Sequence, residues 1–234
     1  MEQARLSLPA ACLAPRSRWE RAWGLGAGLL AQRPCLDCGA WVGDAGLGAL
    51  CARCWGGLQW LKKPQLKPRA GGPQALGAAL AYEGRLRLAL TAYKFEGRAS
   101  LRRPLARLLE AGVRRWAGKR AYDLATSPPP SRRSLKERGR DCAGELARKA
   151  AAGLGLPWRP LLARRKETAR QSELDRPGRL ANARGAFSAV EELRGARVLL
   201  LDDIHTTGAT LAEAARALFE AGAGRVEALA LARS

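Results

Sequence analysis

Histidine is nearly missing from this chain: its 234 residues hold one, His205. A Ser-His-Asp or Cys-His apparatus needs an imidazole free to act as base. The one candidate stands inside a Thr/Gly-rich loop, so nucleophilic hydrolysis of that kind is set aside. Acids are also scarce. Twenty-one Asp and Glu face 41 Lys and Arg, a formal net charge of +20. That excludes an acidic solvating chain and points to a polyanionic partner or substrate. Long apolar runs are absent, and no stretch approaches the roughly 18–20 uninterrupted apolar residues of a membrane span. Arg16, Arg18, Glu20 and Arg21 interrupt the amino-terminal segment where the apolar run of a signal peptide would begin. The expectation is a cytoplasmic protein with no membrane span, whose cysteines are reduced thiols or metal ligands.

What is present supports a packed core, since 47% of the residues are hydrophobic. The charge is unevenly spread. Residues 85–184 hold 26 Lys/Arg and 9 Asp/Glu, a net +17, whereas residues 198–234 carry a net −2. The middle of the chain is therefore the expected electropositive surface. Trp116 and Trp158 within it and Phe187 just beyond it are candidates for stacking single-stranded bases.

Four of the six cysteines form two C-x2-C pairs, Cys35/Cys38 and Cys51/Cys54, with 12 residues between them. Each pair sets two thiolates on one side of a tight turn, and two such turns complete a tetrahedral shell. The expected ion is a structural Zn²⁺, since four protein ligands leave no open position for catalysis. Cys12 and Cys142 stand alone and read as small apolar fillers. Trp41, Trp55 and Trp60 accompany the cysteines, either as core or as stacking residues.

Four segments follow. Residues 1–34 are an N-terminal segment with a weak helical stripe, 35–60 the zinc-binding module, 61–74 a Pro/Gly/Lys-rich linker, and 75–234 one α/β domain. Within the last, strands are expected at 76–82, 123–126, 185–190, 197–202 and 225–231, and helices at 86–95, 101–116, 141–153 and 209–221. The alternation predicts an α/β fold with a doubly wound parallel sheet.

The segment Val198-Leu199-Leu200-Leu201-Asp202-Asp203-Ile204-His205-Thr206-Thr207-Gly208-Ala209-Thr210 carries the chemistry. An apolar strand ends in two adjacent acids, a Thr/Gly loop follows, and a helix begins. Loop amides and a helix N-terminus form an anion site, and the carboxyl end of a parallel strand is where α/β sheets bind ligands. Paired carboxylates suit vicinal hydroxyls or a hydrated Mg²⁺. The sequence thus describes a holder of ribose 5-phosphate. A Walker A loop is excluded because no Gly-Lys-Ser/Thr occurs.

These 13 residues resemble the PRPP-binding signature of type I phosphoribosyltransferases. The resemblance assigns Asp202 and Asp203 to the ribose hydroxyls, and Thr206, Thr207, Gly208, Ala209 and Thr210 to the 5′-phosphate. With the four-cysteine module ahead of it, the chain is more specifically similar to the ComF family. Further matches are Tyr82-Glu83-Gly84, Lys94-Phe95-Glu96-Gly97, Leu135-Lys136-Glu137-Arg138-Gly139, Gln171, Asn182 and Arg184-Gly185-Ala186-Phe187.

Two segments depart from the family. Its Pro-Val-Pro-Leu-His is Ser127-Pro128-Pro129-Pro130-Ser131 here, and its Arg-Gly-Phe-Asn-Gln is Arg138-Gly139-Arg140-Asp141-Cys142. The first corresponds to the pyrophosphate loop. Arg132, Arg133 and Arg138 remain there to bind phosphate, whether of PRPP or of a nucleic-acid backbone. Arg164-Arg165-Lys166 and the residues up to Arg184 correspond to a mobile, lid-like loop. His205 reads as a tolerated loop residue or as a ligand contact, since the family commonly has Tyr or Val at that place.

The resemblance implies binding of PRPP or another phosphorylated ribose ligand with Mg²⁺, binding of single-stranded DNA, and a role in DNA uptake during natural transformation. A competence helicase is the protein partner such a role suggests. The alternative is an active phosphoribosyltransferase of nucleotide metabolism.

Overall fold

The computed structural model describes residues 33–35, 37–42, 50–61, 71–117, 120–166 and 184–234. The expected helical stripe before residue 33, Cys12, most of the linker (62–70) and the loop 167–183 lie outside the described residues.

Two short strands, β1 (Arg33–Pro34) and β2 (Trp41–Val42), pair antiparallel around the first cysteine knuckle, and a one-turn helix α1 (Ala52–Gly56) forms the second, with Cys51 at its N-cap and Cys54 within it. The remainder alternates: β3 (Ala75–Ala81), α2 (Gly84–Phe95), α3 (Arg102–Ala117), β4 (Leu124–Thr126), α4 (Arg132–Arg138), α5 (Cys142–Leu154), β5 (Leu162–Arg164), β6 (Phe187–Ala189), β7 (Arg197–His205), α6 (Ala209–Glu220) and β8 (Arg225–Arg233). The expected elements are all present within a few residues. The sequence reading missed α1, α4, β1, β2 and β5. Strand β7 also runs three residues further than expected, so His205 ends a strand instead of sitting in a loop.

Strands β3, β8, β7 and β4 form one parallel sheet in that order. Its two central strands are buried along almost their whole length, the pattern of a sheet covered on both faces. Leu199, Leu201, Leu229 and Leu231 point to one side, where they meet apolar residues of α2, α3 and α5. Val198, Leu200, Val226, Ala228 and Ala230 point to the other, toward α6 and the β5–β6 pair. The amphipathic stripe of α3 explains its place: Leu105, Leu108, Leu109 and Val113 are buried at helical spacing, and Arg103, Arg107 and Arg114 fall between them.

The cysteine segment shares this core. Cys35, Leu50, Cys54, Trp55 and Leu58 belong to the same apolar cluster as Leu80, Leu86, Leu90 and Leu109. The Arg85 Nε donates to Asp37 Oδ2 at 2.5 Å, tying the first knuckle to α2. At the amino end of the sheet, buried Glu227 accepts Tyr122 Oη at 2.6 Å and pairs with Arg120 and Arg225. This charge is fully answered and reads as architecture.

Candidate functional site

The two acids expected to hold a ribose lie near the carboxyl end of β7, as the strand-then-loop pattern requires. Asp202 and Asp203 are consecutive on the strand, and β7 continues to His205, whose carbonyl accepts the Ser234 N–H at 3.1 Å. Gly208 then takes a left-handed conformation, φ +75°, and serves as N-cap of α6 with no side chain capping the helix. A β-carbon is disfavoured at that φ, which accounts for glycine there. Gly208 itself supplies no cap, and the start of α6 carries the positive end of the helix dipole, the general setting of an anion-binding helix start. Thr207 Oγ1 accepts the Ala209 N–H at 3.4 Å, and Thr206, Thr207 and Thr210 are all partly exposed around the turn. The segment Asp202–Thr210 is therefore one continuous acid–hydroxyl–amide surface.

The structure adds two residues that the sequence reading placed in no site. Lys94, in the last turn of α2, sets its ammonium 2.8 Å from Asp203 Oδ2, with side-chain exposures of only 11% and 7%. The contact is ionic and not a well-aligned hydrogen bond, so a lone pair of Oδ2 stays open to a further donor. Asp141, the N-cap of α5, accepts the Gly144 N–H at 2.9 Å, and its carboxyl is raised by burial and by the neighbouring charges of Asp203 and Glu145. Burial, and next the charge of Asp203, push the Asp202 carboxyl up to about 7, against the Asp203 N–H and Lys94, which favour its ionised form. One lysine and three carboxyls thus share this end of the sheet. Asp202 changes charge near neutrality, and opposite charge or hydroxyl donors from a ligand would settle it.

His205 is 4% exposed, and neither ring nitrogen has a partner among the described residues. Burial lowers it to about 4, with nearby Arg233 acting in the same direction, so it is neutral at ordinary pH.

The segment expected to bind pyrophosphate divides in two. Residues 127–130 form the loop after β4, and Arg132–Arg138 is the helix α4, capped by Ser131, whose hydroxyl accepts the Ser134 N–H at 3.1 Å. Arg132 and Arg133 are exposed on α4, where Arg133 pairs with Glu137 at 2.9 Å. Arg138 turns back, with its guanidinium 5.3 Å from the Phe95 ring centre and its buried Nε without a hydrogen bond.

Arg164 and Arg165, read from the sequence as the start of a lid-like loop, are tied to neighbouring elements. Arg164 ends β5, donates to the Pro129 carbonyl at 3.0 Å and stacks on Phe187 at 4.7 Å. Arg165 donates to Ser188 Oγ at 2.6 Å. Both brace the 127–130 loop and the β5–β6 pair. The turn at Arg184-Gly185 docks on α6, where buried Glu213 accepts the Gly185 N–H at 2.6 Å.

Of the stacking candidates read from the sequence, Phe187 and Trp55 are buried, and Trp60, Trp116 and Trp158 are partly buried. Phe187 is 3% exposed, and Trp116 and Trp158 pack against the core. Trp55 is buried beside the cysteines, and Arg115 lies over Trp60 at 5.0 Å.

The four expected cysteines converge. The sulfurs of Cys35, Cys38, Cys51 and Cys54 all lie within 4.8 Å of one another, so they can hold one metal ion. The Cys38–Cys51 separation of 3.7 Å fits the edge of a tetrahedron with metal–sulfur bonds of about 2.3 Å, roughly 3.8 Å. The Cys51 N–H points at Cys35 Sγ at 3.4 Å, the kind of donor that supports a thiolate. Burial works against ionisation of Cys35, but the N–H groups of Cys38, Cys51 and Asp37 outweigh it and draw the thiol down to about 6. Burial and the hydrogen bond to Asp37 push Cys54 above the ordinary thiol range. A divalent cation supplies the charge that lets all four deprotonate together. Cys142 is buried at the start of α5, in agreement with a filler role.

Comparison with known proteins agrees with this geometry. The Phosphoribosyl transferase domain family matches residues 134–234. The DNA utilization protein YhgH of Salmonella typhi is 31% identical over 204 residues, covering 86% of this chain and 84% of that protein. Competence protein F of Haemophilus influenzae is 32% identical over 158 residues, 64% of this chain and 68% of its own length. The chain belongs to the ComF family, with a four-cysteine cluster ahead of a domain of the phosphoribosyltransferase type.

Proposed function

We propose that this ComF-family chain binds PRPP, or a closely related phosphorylated ribose, together with Mg²⁺, and binds single-stranded DNA in the service of DNA uptake. The observation that carries the ligand half is the arrangement of residues 202–210. Two carboxylates stand at the end of a central parallel strand, and one turn later a helix begins at left-handed Gly208, which has no capping side chain of its own. Ribose hydroxyls match the carboxylates, and a 5′-phosphate matches Thr206, Thr207, Gly208, Ala209 and Thr210. Asp203, already charge-balanced by Lys94, suits hydroxyl donors. Asp202 brings the negative charge that a hydrated Mg²⁺ prefers.

The DNA half is supported by the names of the relatives, DNA utilization and competence proteins, and by the excess of cations between residues 85 and 184. Arg132, Arg133 and Arg138 are the phosphate contacts in this reading. The metal of the cysteine cluster is a structural Zn²⁺, held by Cys35, Cys38, Cys51 and Cys54. It neutralises and fixes two turns that pack on the same core as the sheet. The work is cytoplasmic, where incoming single strands and a competence helicase meet.

A second reading, an active phosphoribosyltransferase of nucleotide metabolism, draws on the same 202–210 segment. The departures at 127–131 and 138–142 weigh against it, since they remove the family's residues at the pyrophosphate loop.

Calorimetric titration of PRPP–Mg²⁺ and fluorescence titration of single-stranded DNA, with one purified sample, test both halves. Asp202→Asn with Asp203→Asn should weaken PRPP by at least about tenfold, since hydrogen bonds to charged groups contribute about 1.5–3 kcal/mol each. Gly208→Val should weaken it by distorting the helix start. Equal PRPP affinity in both variants and the parent would remove the assignment.

A further inference from the structure

Two successive residues of α2 face opposite ways. Lys94 turns inward onto Asp203, while Phe95 is 61% exposed. Beside Phe95 stands α4, whose Leu135 is also exposed, at 41%. Arg138 of the same helix holds its guanidinium 5.3 Å from the Phe95 ring centre. Helix α4 has four cations, Arg132, Arg133, Lys136 and Arg138, against the single acid Glu137. An open phenyl ring is unfavourable in water when it could be covered. Here it is retained within the basic 85–184 stretch, one residue from the lysine that pairs with Asp203.

We propose that Phe95, flanked by Leu135 and Arg138, is the platform on which a base of single-stranded DNA stacks, with the strand's phosphates lying along the cations of α4. This rests on the reading that the chain binds single-stranded DNA. It goes beyond that reading by naming the stacking residue and the helix along which the strand's phosphates lie. The chemistry selects the occupant. A flat aromatic surface rimmed by guanidinium groups offers stacking to a nucleobase and charge to the phosphates on either side of it. An acidic peptide would answer the charge but would leave the ring without a flat partner. Because Lys94 and Phe95 are adjacent, the same turn of α2 carries the platform on its exposed side and the contact to Asp203 on its buried side.

The test separates stacking from charge. Fluorescence anisotropy at one salt concentration compares oligothymidylate with an abasic phosphodiester of equal length, on the parent, Phe95→Ala and Phe95→Trp. The parent should favour oligothymidylate by about tenfold, within the range of one base–aromatic stack. Phe95→Ala should lose that preference while keeping its affinity for the abasic strand and its salt slope. Phe95→Trp should restore it, and the added indole should be quenched on binding. An exposed side chain is not needed for folding, and an unchanged unfolding midpoint of Phe95→Ala serves as control. If the parent binds neither strand, the DNA reading itself fails. If the parent binds both and Phe95→Ala behaves like it, or loses both equally, the DNA reading stands and the platform is overturned.

Discussion

Lys94 and Asp203, joined across 2.8 Å and almost fully buried, link the last turn of α2 to the acid pair of β7. A charge removed from one side of such a pair leaves the other stranded in a poorly solvated place, which costs about 3–5 kcal/mol. Lys94→Met should therefore destabilise the protein by about 3 kcal/mol in urea unfolding, and Asp203→Asn in the same chain should recover most of the loss. A Lys94→Met chain as stable as the parent would mean that water already screens Asp203.

Asp202 should make ligand binding depend on pH near neutrality. Its carboxyl is pushed up to about 7, chiefly by burial and then by Asp203. If the ionised form accepts the ribose or the cation, affinity for PRPP–Mg²⁺ rises with pH and levels off above that value. At about one unit below it the binding-competent fraction falls about tenfold, and the apparent affinity with it. Titrations of the parent from about pH 6 to about pH 8 should follow this slope, and Asp202→Asn should bind more weakly and flatten it.

His205 makes stability, not ligand binding, depend on pH. Its folded value is lowered to about 4, first by burial, against an ordinary 6.5. The unfolded chain therefore binds more protons between those values. The stability that His205 contributes is complete above about pH 6.5 and is lost as the pH falls toward 4, by up to about 3 kcal/mol. His205→Leu removes both the titration and two unpartnered ring nitrogens. Denaturation midpoints of parent and variant, measured across that range, should diverge on acidification with the variant the more stable. Parallel curves would place His205 in contact with water.

Removal of the metal should reach beyond the cysteines. Cys54, Trp55 and Leu50 lie in the same apolar cluster as Leu80, Leu86 and Leu109. Elemental analysis should give one zinc per chain, and Cys38→Ser should lower it. A strong chelator should lower the melting temperature of the whole sheet domain, because metal binding is linked to folding of the segment it holds. A chelated protein with an unchanged transition would show that the two parts fold independently.

Salt should weaken single-stranded DNA binding steeply. Each neutralised phosphate contributes about −0.7 to the slope of log affinity against log salt. Replacing Arg132, Arg133 and Arg138 together should flatten the slope by about 2, alike for all sequences. Arg164 is unsuited to such a test, since it braces the Pro129 carbonyl and Phe187. A slope that survives the triple substitution would return the phosphate contacts to other cations.

The strands and the ligand loop were legible because their signals are local. The run at 198–201 is apolar without a break, and the acids, threonines and glycine follow in order. The cysteine spacing is likewise a local signature. Lys94 was not legible as a site residue, because its partner lies on a distant strand and nothing nearby in the sequence marks which way it turns. Helix α4 was missed for a different reason. Its RRSLKER sequence has no buried residue and hence no apolar period. Its ends were nevertheless written in Ser131, the N-cap, and in Gly139, which adopts φ +69° just past the last turn. Phe95 was passed over because periodicity assigns an apolar residue at a helix end to the core, and only the tertiary structure leaves its ring uncovered.

The strand order β3-β8-β7-β4 has a consequence during synthesis. Strand β8 separates β3 from β7, and Ala75 finds its partner only in Glu227. Until residues 225–233 have left the ribosome, β3 lacks its parallel neighbour, with only the 59–61 segment bridged to its other edge, and β7 exposes one whole edge. A growing chain in that state holds apolar strands with open hydrogen-bonding edges, the condition under which nascent chains aggregate or engage chaperones. Its folding is therefore expected to be slow and to complete after most of the chain is made, in contrast to proteins whose contacts are mostly local.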